Sequence, residues 1–392
     1  MPEFEYWWLL GFPLFFGLGW LAARIDIRHL IAESKSLPRS YFRGLNFLLN
    51  EQPDKAIDAF IEVVKLDPET IELHFALGSL FRRRGETERA IRMHQNLLER
   101  GDLPGEQRLA AMFELGQDYL KAGLLDRAEE VFEKLRAGSH RVEALGFLLD
   151  IYQQEKEWLK AVQAARQLSD GSGKSLQKEI ANFYCELAAV EATHSRTEQA
   201  RAYLDEALAA SRKCVRANMQ LGDLHAAAGE HEQAVLAWKR IEQQTPAYLA
   251  LVAQRLIESF RALGRVEEGL VLIKGLLASH ASLDLLDVAF QATLETAGPE
   301  EAYKLVRDEL RRTPTLLGLD KLLEAQLIMA PPERRSDLEL MKNLVHGHTR
   351  RLARYSCDSC GFKARQFYWH CPACSGWETY PPRRTEEFDV AP

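Results

Sequence analysis

Gly44 and Gly78 lie thirty-four residues apart, and each is followed twelve residues later by an alanine, Ala56 and Ala90. A period of this length constrains the chain more than any single motif does. One such unit holds two helices and cannot bury its apolar faces without a neighbour, so the units must stack. Phe60 and Pro68 complete the first set of marks, and Gly116 with Ala128 and Phe132, then Gly222 with Ala234, Trp238 and Pro246, repeat it. Leu149 with Ala161, Ala188 with Ala200, Ile257 with Gly269, and Phe290 with Ala302 and Pro314 hold the register elsewhere, which gives about eight units over residues 37–345.

Each mark has a mechanical reason. Small residues at the Gly and Ala positions let two antiparallel helices approach where they cross. Phe60, Phe132 and Trp238 are expected to project from the second helix into the neighbouring unit, and Pro68, Pro246 and Pro314 to end that helix. Gly85, Gly123, Gly229 and Gly264, each seven residues after the first mark, should supply the positive φ of the inter-helix turn.

These residues resemble the tetratricopeptide repeat family, and the fold expected is all-α. The resemblance implies a superhelix whose concave side, lined by first helices, serves recognition. On that side Arg82 and Arg83 of the run Arg82-Arg83-Arg84, with Gln117 and Lys121 one unit later, are the candidate partner-binding residues for an acidic segment. Family members that clamp a C-terminal carboxylate carry Lys and Asn three residues before and one after the marker glycine. Here those places hold Tyr41 and Leu45, Phe75 and Ser79, Phe113 and Gln117, so that clamp is absent.

The ends differ from the middle. Tyr6 to Ala23 are uncharged and rich in Trp and Phe, and eighteen residues span roughly 27 Å as a helix, enough for a bilayer. Glu3 and Glu5 precede this stretch, and Arg24, Arg28, Lys35 and Arg39 follow it. Residues 1–24 are therefore expected to be an uncleaved transmembrane anchor, residues 25–36 a juxtamembrane linker, and the rest cytoplasmic.

Four of the six cysteines fall at the other end, as Cys357-Asp-Ser-Cys360 and Cys371-Pro-Ala-Cys374. Two residues between thiolates let a tight turn aim both sulfurs at one ion. Residues 346–392 are thus expected to form a small metal-binding domain with Cys357, Cys360, Cys371 and Cys374 as ligands, and with the segment between the knuckles forming a β-hairpin. The paired knuckles resemble rubredoxin. Four cysteines leave no open coordination position, so one structural metal ion is expected, with zinc favoured and iron possible. Cys185 and Cys214 are expected to be isolated, buried side chains on repeat helices.

A hydrophobic fraction of 46% and a charged fraction of 27% exclude a disordered chain, and a net charge of −7 with a pI near 6.0 disfavours nucleic acid as a partner. Gly173-Lys174-Ser175 lacks the upstream glycine of a phosphate loop, and His231-Glu232 lacks the second histidine of a metalloprotease helix. No catalytic residue is assigned, and the chain is expected not to be an enzyme.

Anchor, repeats and knuckles in this order resemble the lipopolysaccharide assembly protein B family of Gram-negative bacteria. The residues that carry the resemblance are Trp7-Trp8, the segment from Tyr41 to Ala56, and Cys357 to Cys374 with Tyr368-Trp369-His370. It implies a non-enzymatic inner-membrane adaptor that restrains lipopolysaccharide synthesis. Such an adaptor presents the UDP-acyl-GlcNAc deacetylase of the lipid A pathway to a membrane ATP-dependent zinc protease, and a membrane sensor protein of lipopolysaccharide level opposes it. The alternatives are a membrane-tethered rubredoxin-type electron carrier, a tethered zinc-dependent enzyme, or an envelope-assembly scaffold unrelated to proteolysis.

Overall fold

The computed structural model describes Phe16, Trp20 and residues 39–50, 52–66, 70–280, 282–382 and 385–386. The expected anchor, residues 1–24, and linker, residues 25–36, otherwise lie outside the described residues. No helix among the described residues is long and apolar enough to cross a membrane. The chain is mostly helical and divides into two compact units, residues 1–151 and 152–392.

The helices are α1 (Arg39–Leu49), α2 (Pro53–Leu66), α3 (Ile71–Arg84), α4 (Thr87–Glu99), α5 (Gly105–Lys121), α6 (Leu125–Lys134), α7 (Arg141–Glu155), α8 (Trp158–Ser172) and α9 (Gln177–Thr193). They continue as α10 (Thr197–Ala210), α11 (Val215–Ala227), α12 (His231–Gln244), a 3-10 turn over Pro246–Leu251, α13 (Ala253–Ala262), α14 (Val266–Ser279), α15 (Leu283–Ala297), α16 (Pro299–Arg312), α17 (Leu316–Met329) and α18 (Pro332–Leu352). Pro246 and Pro314 follow the ends of α12 and α16 as expected, whereas Pro68 lies outside the described residues.

The turn inside four of the hairpins is chemically uniform. Gly85, Gly123, Gly229 and Gly264 all have positive φ, between 70° and 87°. At Gly85 the glycine N–H donates to Arg82 O and the next N–H donates to Phe81 O, closing the last turn of α3. The same pair of bonds closes α5 at Gly123, α11 at Gly229 and α13 at Gly264. Lys156 (φ 59°) and Ser195 (φ 60°) take the same left-handed position, seven residues after Leu149 and Ala188. Between α15 and α16 the positive φ falls on Gly298.

The marker glycine on a first helix is there to receive a ring. A Cβ on Gly44 would lie 2.5 Å from the Phe60 ring, one on Gly116 2.8 Å from Phe132, and one on Gly222 2.5 Å from Trp238 Cδ1. The large residue therefore packs first against the marker glycine of its own unit, sixteen residues upstream, and its reach into the next unit is additional. Phe132 makes that further contact, stacking on Phe147 at 5.0 Å. In the second repeat the ring is His94, fully buried against Gly78. Its Nδ1 is hydrogen-bonded to the equally buried Asp118.

The tail is a three-stranded sheet in the order β2-β1-β3, with β1 at Ala353–Ser356, β2 at Lys363–Ala364 and β3 at Thr385–Glu386. The expected hairpin is displaced. β2 pairs antiparallel with β1 across the first knuckle, Tyr355 opposite Ala364, instead of folding back within the connection between the knuckles. Tyr355, Cys357, Cys371 and Tyr380 form the tail's own small core.

Candidate metal centre and its seat on the repeats

The two knuckles repeat one backbone pattern. Gly361 N–H donates to Cys357 O and Ser375 N–H to Cys371 O, while Cys357 N–H donates to Phe362 O and Cys371 N–H to Gly376 O. In each, the residue after the second cysteine is left-handed: Gly361 at φ 75° and Ser375 at φ 55°. Gly376 has no room for a side chain, since a Cβ there would lie 2.7 Å from Thr379 Cγ2 and 3.4 Å from Cys374 Sγ.

These turns bring the four sulfurs of Cys357, Cys360, Cys371 and Cys374 within 4.8 Å of one another. Cys357 and Cys374 Sγ are 3.8 Å apart, and Cys360 and Cys371 Sγ 3.7 Å apart. A tetrahedral ion with metal–sulfur bonds of about 2.3 Å requires sulfur–sulfur edges of roughly 3.8 Å, so the donor set and its spacing fit one zinc or iron ion. The thiols titrate as a set. Burial opposes ionisation of Cys357, but its hydrogen bonds to Thr379 and to the backbone of Cys360 and Ser359 outweigh it and bring the group down to about 6. Cys371 is also lowered, while Cys360, raised to about 12, and Cys374, also raised, keep their protons longest.

The metal tail is seated on the helices of the second unit. Trp377, only 5% exposed, sits edge-on to Phe183 at 5.6 Å and to Trp158 at 6.2 Å, and its Nε1–H donates to Gln153 Oε1 at 2.9 Å. Glu378 accepts from Asn182 Nδ2 at 2.8 Å and lies 3.8 Å from Lys178 Nζ. Arg216, paired with Glu186 at 2.8 Å, places its guanidinium 6.0 Å from the Trp377 ring and 5.8 Å from Trp369. Trp369 stacks on Tyr248 at 5.5 Å and 9°. Burial, then the nearby Glu378 and Asp358 carboxylates, push the Tyr248 hydroxyl up to about 12. Tyr355 O–H donates to Asp284 at 3.3 Å.

None of these receiving residues stands out in the sequence, where they are single polar or aromatic positions on helices. The available signal lay on the other side, in tail aromatics such as Trp369 and Trp377 that the ligand set does not need.

The candidate partner residues lie in the first unit. Arg82 turns inward, with one nitrogen 2.6 Å from Glu114 Oε2 and the other 2.7 Å from the buried Asp118, while Arg83 and Lys121 are exposed and Gln117 half-buried. Cys185 and Cys214 are both buried but not isolated: their sulfurs lie 3.8 Å apart, joining α9 to the start of α11.

The family described as Rubredoxin metal binding domain matches residues 355–382, and Tetratricopeptide repeat families match residues 73–108 and 185–248. The chain is 36% identical over 376 residues to Lipopolysaccharide assembly protein B of Escherichia coli (strain K12), covering 95% of this chain and 96% of that protein. It is 31% identical over 388 residues to the protein of the same name from Haemophilus influenzae, covering 96% and 97%. Among solved structures, a tetratricopeptide repeat protein from Parabacteroides merdae aligns with 74% of this chain and all of its own at 12% identity and a TM-score of 0.33.

Proposed function

Because this chain belongs to the lipopolysaccharide assembly protein B family, we propose that it is a non-enzymatic adaptor of the inner membrane that restrains lipopolysaccharide synthesis. It would present the lipid A pathway deacetylase to a membrane ATP-dependent zinc protease, with a membrane sensor protein setting the extent. The observation that carries this reading is the seating of a closed four-thiolate tail on the repeat helices through Trp377, Glu378 and Trp369. A four-sulfur site holds its ion without an open position for substrate, and what it organises is a surface. Residues 1–24 would tether that surface, single-pass, with the repeats in the cytoplasm. Confining adaptor, client and protease to one plane raises the concentration of client near protease without any new contact.

The test is the half-life of the deacetylase in cells carrying this chain, lacking it, or carrying Cys357→Ser/Cys360→Ser. The reading expects rapid turnover only with the intact chain, and normal turnover with the double variant overturns it. The same donor set suits iron, which supports a second reading as a tethered electron carrier. That reading requires a visible absorption band that bleaches with dithionite, whereas adaptor function requires only that the ion hold the fold.

A further inference from the structure

Three helices near the end of the repeats enclose a cavity of about 220 Å³ that the metal centre and its seat do not use. Asp287 comes from α15, Asp320, Lys321 and Glu324 from α17, and Lys342 and His346 from α18. Asp320 with Glu324, and Lys342 with His346, stand four residues apart. Each pair therefore shares one helix face, and both faces line the same space. Leu286 and Leu317 supply apolar walls.

Most of the charge in this cavity is matched. Lys321 Nζ pairs with Asp287 and lies 3.2 Å from Glu324 Oε2, and Lys342 Nζ lies 3.6 Å from the same oxygen. Asp320 is the exception. It is only 5% exposed, and while its Oδ2 accepts from His346 Nδ1 at 3.0 Å, its Oδ1 is buried with no hydrogen-bond partner among the described residues. Buried polar atoms are ordinarily satisfied, and a buried carboxylate oxygen is among the costliest to leave unpaired. The three carboxylates of the lining also outnumber its two ammonium groups by one. Both observations call for a cationic donor.

Size and walls narrow the donor further. The volume is below the roughly 300–1,000 Å³ of sites that take whole drug-sized molecules, yet holds several waters at about 30 Å³ each, which suits one long side chain. A guanidinium is more weakly hydrated than an ammonium, so it enters a leucine-walled space at lower cost, and its N–H fork donates to carboxylates.

We propose that this cavity receives the guanidinium of an arginine in a partner's chain, seated on Asp320 Oδ1 between Leu286 and Leu317. The proposal rests on the adaptor reading for the ligand being a protein segment, and it gives that segment a basic residue.

The probe is N-acetyl-arginine amide, titrated by saturation-transfer NMR against the full zinc-loaded chain in detergent micelles. A ligand of this size at ordinary efficiency binds with a Kd on the order of 1 mM. N-acetyl-citrulline amide, which keeps the shape and loses the charge, should bind about tenfold more weakly, and Asp320→Asn should weaken the arginine amide by about tenfold. Lys342→Gln, which removes an ammonium from the lining, should tighten it by about threefold. Equal binding of the arginine and citrulline amides, or an Asp320→Asn chain that binds as before, overturns the proposal. Should Asp320→Asn lose its helical circular dichroism, Lys342→Gln carries the test, and unchanged or weaker binding counts against the site. Free arginine binding tenfold more tightly than the blocked amide would make the ligand a metabolite and overturn the partner segment. A failed titration alongside deacetylase turnover that still needs this chain removes the site and leaves the adaptor. A successful titration with turnover that does not need this chain removes the adaptor and, with it, the partner segment as the source of the guanidinium.

Discussion

Gly222→Ala is a one-carbon perturbation whose cost can be worked from the structure. The new Cβ would lie 2.5 Å from Trp238 Cδ1 and 2.6 Å from Cε2, and the indole is fully buried, so the ring must move. Overpacking of this kind costs about 1–3 kcal/mol. The movement also pulls Trp238 Nε1 from Met219 O, to which it donates at 3.1 Å, and a buried N–H without a partner costs a further ~1–3 kcal/mol. Alanine returns about 1 kcal/mol of helix propensity. The net expectation is a loss of about 3 kcal/mol, or roughly 6–12 °C in the melting temperature of a unit this size. Gly275→Ala, in the exposed interior of α14 with nothing within 4 Å of the added carbon, is the matched control and should gain about 0.5–1 kcal/mol. Thermal unfolding of both full-length variants, followed by far-ultraviolet circular dichroism and tryptophan fluorescence, checks the pair. A Gly222→Ala chain that melts at or above the unaltered temperature refutes the close-approach argument for the marker glycines.

Three further outcomes are expected. Arg82→Ala should destabilise the first unit by about 2–4 kcal/mol, because it strips the cation from buried Asp118 and from Glu114; an unchanged urea midpoint would show that Arg82 does no structural work. Ser375→Gly should relieve the left-handed strain at φ 55° and slow zinc loss to a chelator, gaining roughly 1 kcal/mol; faster loss would contradict it. Zinc should be retained at neutral pH and released on acidification. Thiolate is the ligating form, so protons compete with the ion for the four sulfurs and displace it as pH falls. A colorimetric zinc indicator read from pH 8 to 4 should show this, and release that increases with rising pH would reverse the sign of the argument.

The repeats were legible because their marks are local. A glycine and the ring it accommodates are sixteen residues apart, and the turn glycine is seven residues from the first mark. Lys156 and Ser195 hold the same left-handed turn without glycine, because two backbone bonds per turn fix the conformation and tolerate an ordinary side chain there. Repeats without the marker glycine exchange volumes between the two positions. Ala188 faces the register of Leu204, Ile257 that of Ile273, and Phe290 that of Val306, all buried, where the glycine repeats carry Phe, Trp or His. The clustering of the four cysteines was legible for the same local reason. The seat of the tail was not: its decisive bonds, Trp377 to Gln153 and Asn182 to Glu378, join residues 224 and 196 positions apart. The inward turn of Arg82 depends likewise on carboxylates one repeat away.

Those long separations have a consequence for how the chain is made. Trp158 and Phe183 emerge from the ribosome some two hundred residues before the tail that covers them, and a small four-cysteine tail draws folding free energy from the ion it binds. A truncated product, or one made under metal starvation, would leave that aromatic face open to solvent and to proteases. The tail thus covers an aromatic face that the helices translated before it cannot cover for themselves.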